Sequence, residues 1–316
     1  MIKGTRFFSR RLLPLLLAAV MLLGMLPALT LLAVYIIYPI ISTLILSFQT
    51  WKGIYGAPKE FAGFANYLKV LKSDTFWNAL LNSFYFMVGT FLVLMPLSFG
   101  LALLVTSKLK FTGFMKTMYY IPVILGTTTV ALMWKCILNP NTGVLAGIMH
   151  AIGLGDSIHD WLNTAPENVW VTVLINEWKY AGYNMLIFIA GITSIPQTTF
   201  EAAKIDGASR WQTLWKVTIP NVMPSITICT FLSLTNGFKL FDQNLALTGG
   251  QPYTILPDGS SIKTTEMLAL NILNTFYGQN ANSRGTAQAK AVLFFILVAS
   301  IGLLQLRSNR KKEVQQ

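Results

Sequence analysis

The chain has 316 residues, of which 53% are hydrophobic and 11% are charged, with a formal net charge of +12. Soluble domains carry about a quarter charged residues, so this composition excludes a soluble protein and indicates a membrane protein. The basic residues lie at the ends of apolar segments and form no patch interleaved with aromatic residues, which excludes nucleic acid as a partner.

Six apolar segments are long enough for the roughly 20 residues that a bilayer-crossing helix needs. They are Leu12 to Phe48, Phe76 to Val105, Met118 to Leu138, Val169 to Ile192, Val222 to Leu247 and Ala287 to Leu306. The first follows four basic residues, as a signal peptide does, but its length favours a retained span. Its three prolines leave two alternatives open, one tilted and kinked helix or a span preceded by an interfacial turn. The sequence therefore predicts an all-α integral membrane helical bundle with about six transmembrane helices.

Lysine and arginine are distributed unequally between the loops on the two sides of these spans. One side receives fourteen of them and the other receives six, while the loop Asn139 to Asn168 has none. Because basic residues favour the cytoplasmic side, both termini and the loop between the fourth and fifth spans are predicted to be cytoplasmic. Two further loops, Thr50 to Thr75 and Thr248 to Gly285, are predicted to be external, and all three external loops are long enough to pack against a partner.

The cytoplasmic loop between the fourth and fifth spans reads EAAKIDGASRWQTLWKVTIP from Glu201 to Pro220. Thr198 followed by Glu201 predicts a capping box at the start of a short helix. Gly207 is free to adopt the left-handed conformation that ends it. Ser209 and Gln212 repeat the capping pattern, and Ile219-Pro220 is expected to stop the second helix. A plain elbow between two spans is the alternative for this segment.

The full string is more specific than a capping box, and it closely resembles the EAA loop of ABC importer permeases. The matching positions are Glu201, Ala202, Ala203, Asp206, Gly207, Ala208, Trp211, Trp215, Ile219 and Pro220. The runs Tyr119 to Pro122 and Thr248 to Gly250 stand in the family's order, so the resemblance covers most of the chain. It is strongest to the first of the two permease subunits of maltose-type carbohydrate importers. The chain departs from the family pattern at Leu214 and after Gly250, where Gln251-Pro252 and an added segment up to Lys263 follow.

The resemblance implies a single transmembrane permease domain over residues 1–316, with residues 198–220 as its coupling loop. Glu201, Ala202, Ala203, Asp206, Gly207 and Ala208 would seat in a cleft of a separate ATPase, with Glu201 and Gly207 as the foremost coupling residues. The implied partners are a second homologous permease, two ABC ATPase subunits and an extracytoplasmic sugar-binding protein. The expected cargo is a carbohydrate, with a di- or oligosaccharide preferred, and the expected location is the cytoplasmic membrane.

Polar residues recur inside two of the spans at helical spacing. Asn176, Lys179, Tyr180 and Tyr183 share one face of the fourth span, and Asn236, Lys239 and Gln243 share one face of the fifth. Amide and charged groups bond sugar hydroxyls and aromatic faces cover sugar C–H groups. Together with the resemblance, this pattern predicts substrate contacts at Asn176, Lys179, Tyr180, Tyr183, Asn236 and Lys239.

Each of these polar positions also has a purely structural interpretation. Lys239 and Asp242, three residues apart, form an intrahelical ion pair in one alternative. In a second alternative Lys179 extends to the outer surface, and in a third Asn236 forms a hydrogen bond to a neighbouring helix. These alternatives stay open at the level of the sequence.

No motif for catalysis, nucleotide binding or metal binding occurs in the chain. It lacks a G-x-x-x-x-G-K-[ST] phosphate loop, and its Cys136 and Cys229 have no metal-ligand spacing. A non-catalytic subunit without a cofactor is therefore expected, with ATP hydrolysis in a partner. One alternative is an ion-driven transporter or channel that uses Glu177, Lys179 and Asp242 as charge carriers, but the sequence shows no inverted repeat that would support it. The other alternative is a membrane scaffold that transports nothing.

Overall fold

The structure is a computed structural model that describes residues 24–51, 58–107, 110–257, 259, 261–278 and 283–310. Helices dominate this part of the chain. The helices are α1 (Gly24–Ser47), α2 (Ala65–Leu71), α3 (Asp74–Thr106), α4 (Thr112–Ile124), α5 (Thr127–Ile137), α6 (Val144–Ala151), α7 (Glu167–Thr193), α8 (Gln197–Ile205), α9 (Arg210–Asn221), α10 (Met223–Phe238), α11 (Asp242–Leu247), α12 (Leu268–Tyr277) and α13 (Ser283–Arg310). Two short antiparallel hairpins pair β1 (Gln49–Thr50) with β2 (Glu60–Phe61) and β3 (Tyr253–Ile255) with β4 (Ser261–Lys263).

Helix α7 forms the centre of the bundle, packed against α3, α4 and α10. Its half toward the cytoplasmic loop is apolar, and Met185, Phe188 and Ile192 are buried there in a hydrophobic cluster with residues of α3 and α10. At Gly182 the backbone of α4 comes so close that an added Cβ would lie 2.0 Å from the carbonyl oxygen of Tyr119. A side chain of any size at this position would separate α7 from α4, as expected where small residues let membrane helices pack closely.

Helix α1 lies at the edge of the bundle and packs mainly against α13. The most apolar stretch of α1 has none of its residues buried inside the chain. Because lipid tails are as apolar as these side chains, such exposure is expected for a helix that faces the bilayer.

The six predicted spans correspond to helices of three kinds. Three unbroken helices are long and apolar enough to cross a membrane, namely α1, α3 and α13 up to Gln305, and two bent pairs, α4 with α5 and α9 with α10, raise this number to five. The remaining predicted span lies in α7, whose 27 residues suffice in length. Because α7 carries buried Asn176, Glu177 and Lys179, it is more polar than the others.

Two of the predicted spans are not single helices, so the sequence-based interpretation was wrong there. Between Met118 and Leu138 the chain bends by 100° after Ile124, because Leu125 and Gly126 adopt extended conformations. Between Val222 and Leu247 the helix ends at Phe238 and a separate helix begins at Asp242. Tertiary contacts replace the missing helical turns, since Asn244 Nδ2 donates to the carbonyl oxygen of Thr265 at 2.8 Å.

The first predicted span is described only from Gly24 onward, and residues 12–23 of that prediction lie outside the described residues. From Gly24 to Ser47 the helix is continuous through Pro27 and Pro39. A π-helical turn over Ala33–Ile37 directly precedes an α-helical segment that starts at Tyr38, and Pro39 stands in the first turn of that segment. Proline is tolerated at such a position because its missing N–H has no partner to lose.

The added segment after Gly250 folds back over the bundle as the β3–β4 hairpin. Asn78 and Asn82 of α3 donate to the carbonyl oxygens of Lys263 and Thr264 at 2.8 and 2.7 Å. These bonds join positions more than 180 residues apart in the chain. The hairpin is therefore held in place by the outer end of α3.

Candidate functional site

A cavity of about 220 Å³ lies between α3, α5, α7 and the α10–α11 break. Its lining mixes amides, hydroxyls, charged groups and aromatic rings. The lining residues are Phe86, Thr90, Leu94, Thr127, Asn176, Tyr180, Tyr183, Asn184, Leu232, Ser233, Asn236, Gly237, Lys239, Leu240, Phe241, Asp242 and Gln243.

Five of the six predicted substrate residues line this cavity. Asn176, Tyr180 and Tyr183 reach it from α7. Asn236 reaches it from the last turn of α10, and Lys239 reaches it from the position directly after that helix. The α7 residues share one helix face as the spacing predicts, because α7 is unbroken from Glu167 to Thr193. The structure thus gathers two polar stripes, from segments about 60 residues apart, at one cavity.

The sixth predicted residue, Lys179, lies behind the cavity wall. Its side chain is 3% exposed, and its Nζ donates to the hydroxyl of Thr127 at 2.7 Å and lies 5.1 Å from the ring centroid of Tyr180. It also interacts electrostatically with Asp242. The alternative in which Lys179 extends to the outer surface is therefore wrong, because this lysine is buried and bonded between α5 and α7.

The break between α10 and α11 changes the geometry that the sequence predicted for the fifth span. Lys239 and Asp242 do not belong to one helix, and within the described part of the chain no nitrogen–oxygen distance of 4.0 Å or less joins them. The predicted intrahelical pair is therefore wrong, and so is the single face shared by Asn236, Lys239 and Gln243. All four of these side chains nonetheless line the cavity because α11 folds back against α5 and α7.

Two buried amides of the cavity have unused hydrogen-bond acceptors. Gln243 donates its Nε2 to the carbonyl oxygen of Thr172 at 3.3 Å, while its Oε1 has no partner among the described residues. The Oδ1 of Asn176 is likewise buried and without a described partner. Since an unsatisfied buried acceptor costs free energy, both oxygens are positions at which a ligand hydroxyl group can donate favourably.

Sequence reasoning missed several polar residues of the cavity. Thr90, Thr127, Asn184 and Ser233 were not among the predicted contacts, although Asn184 Nδ2 donates to Ser233 Oγ at 3.2 Å and so joins α7 to α10. Thr90 also donates to Glu177 Oε1 at 2.8 Å, giving this buried carboxyl group a partner. Their signal is weak because single hydroxyls and amides are common in membrane helices, where they bond the backbone or a neighbouring helix.

The first half of the cytoplasmic loop is helix α8, which begins earlier than its sequence predicts. The residue before the helix is Pro196, and no side-chain hydrogen bond caps it, so the predicted capping box of Thr198 and Glu201 is wrong. The helix ends in a Schellman motif, in which Ala208 N donates to Ala203 O at 3.0 Å and Gly207 N donates to Lys204 O at 3.2 Å. Gly207 has φ = +72°, as its predicted left-handed conformation requires.

The second half of the loop begins with the predicted capping box. Gln212 N donates to Ser209 Oγ at 3.2 Å, and Ser209 N donates to Gln212 Oε1 at 2.7 Å. Ile219-Pro220 does not stop this helix, which continues through a π-helical turn to Asn221 and then bends by 66° into α10. Pro220 is accommodated in the first turn of the last helical segment, where its missing N–H costs nothing.

The loop presents an uncovered apolar surface. Glu201, Ala202, Asp206 and Gly207 are exposed, Ala203 is buried, and Ala208 is half-buried. Ile205 is 85% exposed, and Trp211 and Trp215 are exposed with ring centroids 5.6 Å apart. Phe200 fixes the loop to the bundle by packing against the α7 cluster. Exposed apolar groups in this number on one loop are typical of a surface that contacts a protein or the membrane.

On the outer side, His159 pairs with the first residue of α7. Its Nε2 lies 2.6 Å from Glu167 Oε2, and its ring packs against Trp161 with centroids 3.8 Å apart. The hydrogen bond to Glu167 raises the pKa of His159, and a second bond to the carbonyl oxygen of Ser157 adds to this effect. His159 is thus part of a surface ion pair.

Comparison with known families identifies the chain as a membrane transport component. Residues 107–314, about two-thirds of the chain, match the binding-protein-dependent transport system inner membrane component family. The chain belongs to this family. It is therefore a multi-pass membrane permease of the ABC importers, as the Glu201 to Pro220 loop indicated.

Curated relatives match this permease over nearly their full lengths. It is 34% identical to the probable starch degradation products transport system permease protein AmyD of Thermoanaerobacterium thermosulfurigenes, with 92% of the permease and 93% of the relative covered. It is 31% identical to the trehalose/maltose transport system permease protein MalF of Thermococcus litoralis, with coverages of 91% and 92%.

Solved structures share its fold. A bacterial ABC transporter involved in the import of the acidic polysaccharide alginate contains a chain that superimposes with a TM-score of 0.78 at 22% identity, covering 97% of the permease and 99% of that chain. A complex of the bacterial alginate ABC transporter with alginate pentasaccharide-bound periplasmic protein gives a TM-score of 0.79, also at 22% identity, with coverages of 98% and 99%. The overall fold of the permease is therefore one that solved structures already contain.

Proposed function

We propose that this permease imports a di- or oligosaccharide as the first of two homologous permease subunits, driven by two separate ABC ATPase subunits and supplied by an extracytoplasmic sugar-binding protein. The observation that carries the proposal is the cytoplasmic loop, whose capped helices present Glu201 and an uncovered apolar surface. Family membership supports binding-protein-dependent transport, and the names of AmyD and MalF support a carbohydrate cargo.

The chemistry of the cavity supports a sugar as cargo. Asn176 and Gln243 offer unpaired acceptors to hydroxyl groups, and Lys239 and Asn236 offer donors. Tyr180 and Tyr183 provide ring faces for the apolar side of a sugar. We assign Lys179 an indirect role, in which it holds Thr127 and Tyr180 in position.

The size of the cavity supports a second permease subunit. Its 220 Å³ falls below the roughly 300–1,000 Å³ of pockets that enclose a drug-sized ligand. Tyr183, which lines the cavity, is itself exposed on the surface of the chain. A homologous partner that faces this side of α7 would complete the wall around an oligosaccharide.

Coupling to ATP hydrolysis is assigned to the segment 198–220 within one permease domain that spans residues 1–316. The surface of Glu201, Ala202, Asp206 and Gly207, with Ala203 and Ala208 beneath it, would seat in the ATPase together with Ile205 and Trp215. Because Phe200 links this loop to the α7 cluster, a displacement of the loop is transmitted to the helix that carries the cavity. ATP-driven closure of the ATPases would then open the cavity outward, and hydrolysis would reset it inward.

The first test of the assembly is a mild-detergent pull-down of the tagged chain followed by mass spectrometry. We expect an ATPase with a phosphate loop and a second permease with an EAA loop. A chain that purifies alone as a stable homo-oligomer would contradict the proposal. A co-purified complex also permits binding assays of its external sugar-binding protein with a panel of neutral and acidic oligosaccharides.

A matched pair of glycine variants tests the coupling loop. Gly207→Ala places a side chain at φ = +72°, a conformation that costs an L-residue roughly 1–2 kcal/mol, while nothing lies within 4 Å of the new Cβ. Gly113→Ala in α4 also meets no atom within 4 Å but has no such backbone strain. We expect Gly207→Ala alone to reduce sugar uptake per ATP hydrolysed in proteoliposomes. Equal coupling ratios in the two variants would exclude the assigned role of the loop.

A further inference from the structure

A polar cleft of about 390 Å³ lies at the outer end of α3 and α13, away from the transport cavity. It carries hydroxyl, amide and ammonium groups. The lining residues are Lys69, Ser73, Thr75, Asn274, Thr275, Gly278, Ser283, Thr286 and Lys290. No carboxylate is among these described lining residues, so the cleft is built to receive an anionic or strongly accepting group.

Lys290 is the central cation of this cleft, and it is only 3% exposed. Its Nζ donates to Asn271 Oδ1 at 2.6 Å and to Thr275 Oγ1 at 2.8 Å. An ammonium group has three donors, so one N–H remains for a ligand in the cleft. The buried hydroxyl oxygen of Ser283 also has no partner among the described residues.

The charge of Lys290 is only partly balanced by the protein. Glu266 lies behind the cleft and accepts hydrogen bonds from Asn271 and Asn274, so Asn271 stands between the carboxylate and the ammonium group. Asp74 lies at the rim, but it is exposed and does not line the cleft. Lys69 adds a second positive charge, so the lining keeps an excess of positive charge that favours an anion.

An apolar groove of about 580 Å³ continues along the same two helices toward the cytoplasmic side. Its lining residues are Trp77, Leu80, Leu81, Phe84, Met87, Phe238, Leu297 and Ile301. On α13, Ser283, Thr286, Lys290, Leu297 and Ile301 follow at steps of 3, 4, 7 and 4 residues, which places them on one helix face. Seven residues of helix rise by about 10 Å, so Leu297 lies about that distance below Lys290.

The same alignment holds at the start of α3, where Ser73 of the cleft directly precedes the helix and Trp77 of the groove follows four residues later. Trp77 is exposed, and its Nε1 donates to the carbonyl oxygen of Leu71 at 2.8 Å. Tryptophan is enriched at the boundary between headgroups and acyl chains because its ring is apolar and its N–H is polar. The cleft therefore lies at headgroup depth and the groove at acyl-chain depth.

We propose that the cleft and the groove together form a binding site for an outer-leaflet phospholipid with an anionic headgroup. The headgroup phosphate accepts hydrogen bonds from Lys290 and from the hydroxyl of Ser283, and it is attracted by Lys69. One acyl chain follows the groove past Trp77 to Ile301. Such a lipid bridges α2, α3, α12 and α13, so its occupancy stabilises the outer half of the permease independently of the transport cavity.

The test uses the full chain, purified with its partner subunits and stripped of lipid in a neutral detergent. Native mass spectrometry measures the binding of dioleoylphosphatidylglycerol, dioleoylphosphatidylcholine and inorganic phosphate. Lys69→Gln removes the less buried cation, and Lys72→Gln is the matched control, because Lys72 is an exposed residue at the end of the same helix that does not line the cleft. Lys290→Met then tests the proposed headgroup position, and Leu297→Trp tests the proposed acyl-chain position.

We expect one phosphatidylglycerol to bind more tightly than phosphatidylcholine, and Lys69→Gln to weaken it about fivefold, as for one lysine near an anionic lipid. Lys72→Gln should weaken it less, and Leu297→Trp should displace both lipids. Equal binding of the two lipids, or equal effects of the two lysine variants, would overturn the proposal. So would saturable binding of inorganic phosphate that displaces phosphatidylglycerol, because the site would then hold a free anion. If Lys290→Met does not fold, the Lys69 and Leu297 variants still test whether the headgroup and the acyl chain bind at these positions.

Discussion

The hydrogen bonds that cap the cytoplasmic loop join residues 3 to 5 positions apart, whereas those that link different helices around the transport cavity join residues 49 to 87 positions apart. In the loop, Ser209 and Gln212 cap each other, and Ala208 bonds Ala203. At the cavity, Asn184 bonds Ser233, and Thr90 bonds Glu177. The two regions also differ in exposure, since the loop residues are mostly exposed and these cavity residues are buried or nearly so.

This difference separates two ways in which a permease holds functional residues. The two helices of the loop are capped by hydrogen bonds between near neighbours, and Phe200 fixes them to the bundle. The cavity needs four helices in place before its buried polar groups find partners, and an unpaired buried group costs roughly 1–3 kcal/mol. Substitutions at the cavity should therefore destabilise the whole bundle, and substitutions in the loop should alter coupling with little effect on stability.

The largest effect is expected where two helices of the cavity region touch. In Gly182→Ala the new Cβ would lie 2.0 Å from the carbonyl oxygen of Tyr119, so α4 and α7 must separate. Overpacking of this kind costs about 1–3 kcal/mol and occasionally more. Gly147→Ala in α6 is the control, because nothing lies within 4 Å of its Cβ. Thermal unfolding in detergent checks the pair, and equal unfolding temperatures would show that the close approach contributes nothing.

A second effect concerns the buried carboxyl group behind the cavity. Thr90→Val removes the hydroxyl that donates to Glu177 Oε1 at 2.8 Å, and we expect a loss of about 1–3 kcal/mol in the free energy of unfolding. Thr193→Val is the control, because that hydroxyl bonds only carbonyl groups of its own helix.

A double substitution sharpens this second prediction. When Glu177→Leu is combined with Thr90→Val, no unpaired carboxyl group remains, so the double variant should recover part of the lost stability. Strictly additive losses in the denaturation experiment would mean that Thr90 and Glu177 are not coupled.

A smaller effect separates the two capping boxes that the sequence predicts in the loop. Ser209→Ala removes a cap that the structure shows, which costs about 1 kcal/mol locally, whereas Thr198→Ala removes a hydroxyl that caps no helix. Hydrogen exchange measured by mass spectrometry should show faster exchange around residues 209–213 in the first variant alone. Similar exchange in both variants would contradict the assignment of the cap to Ser209.

The smallest effect is expected for the outer ion pair, which is local like the loop and lies at the surface of the chain. Because Glu167 raises the pKa of His159, the pair contributes stability below the ordinary histidine pKa of 6.5 and loses it as the pH rises through the raised value. Histidine hydrogen–deuterium exchange followed by mass spectrometry should give a titration midpoint above 6.5. In Glu167→Gln the midpoint should fall, and an unchanged midpoint would assign the shift to another group.

Much of the loop could be predicted because its determinants lie within twelve residues of one another. Gly207 adopts the expected left-handed conformation, and Ser209 caps its helix as expected. Thr198 misled the prediction because the helix already begins at Gln197, directly after Pro196. Pro220 misled it because a preceding π-helical turn accommodates the proline ring without ending the helix.

The cavity was only partly predictable. Helical spacing placed Asn176, Tyr180 and Tyr183 on one face because α7 is a regular helix, and that rule needs no knowledge of neighbours. The same rule failed after Phe238, where the helix ends one residue past Gly237 and a break from Lys239 to Phe241 follows. There the contacts of Gln243 with Thr172 and of Asn244 with Thr265 decide the path of the chain.

The sequence by itself determined the membrane location, the six apolar segments, the local caps of the loop from Glu201 to Pro220 and the family to which the chain belongs. These features depend on composition, on segment length and on hydrogen bonds between near neighbours, all of which a linear string records. Only the tertiary structure decided that two spans are bent or broken, that Lys179 is buried against Thr127, and that a polar cleft and an apolar groove align on α3 and α13. Those features arise from contacts between distant segments, where packing and the pairing of buried polar groups outweigh local preference.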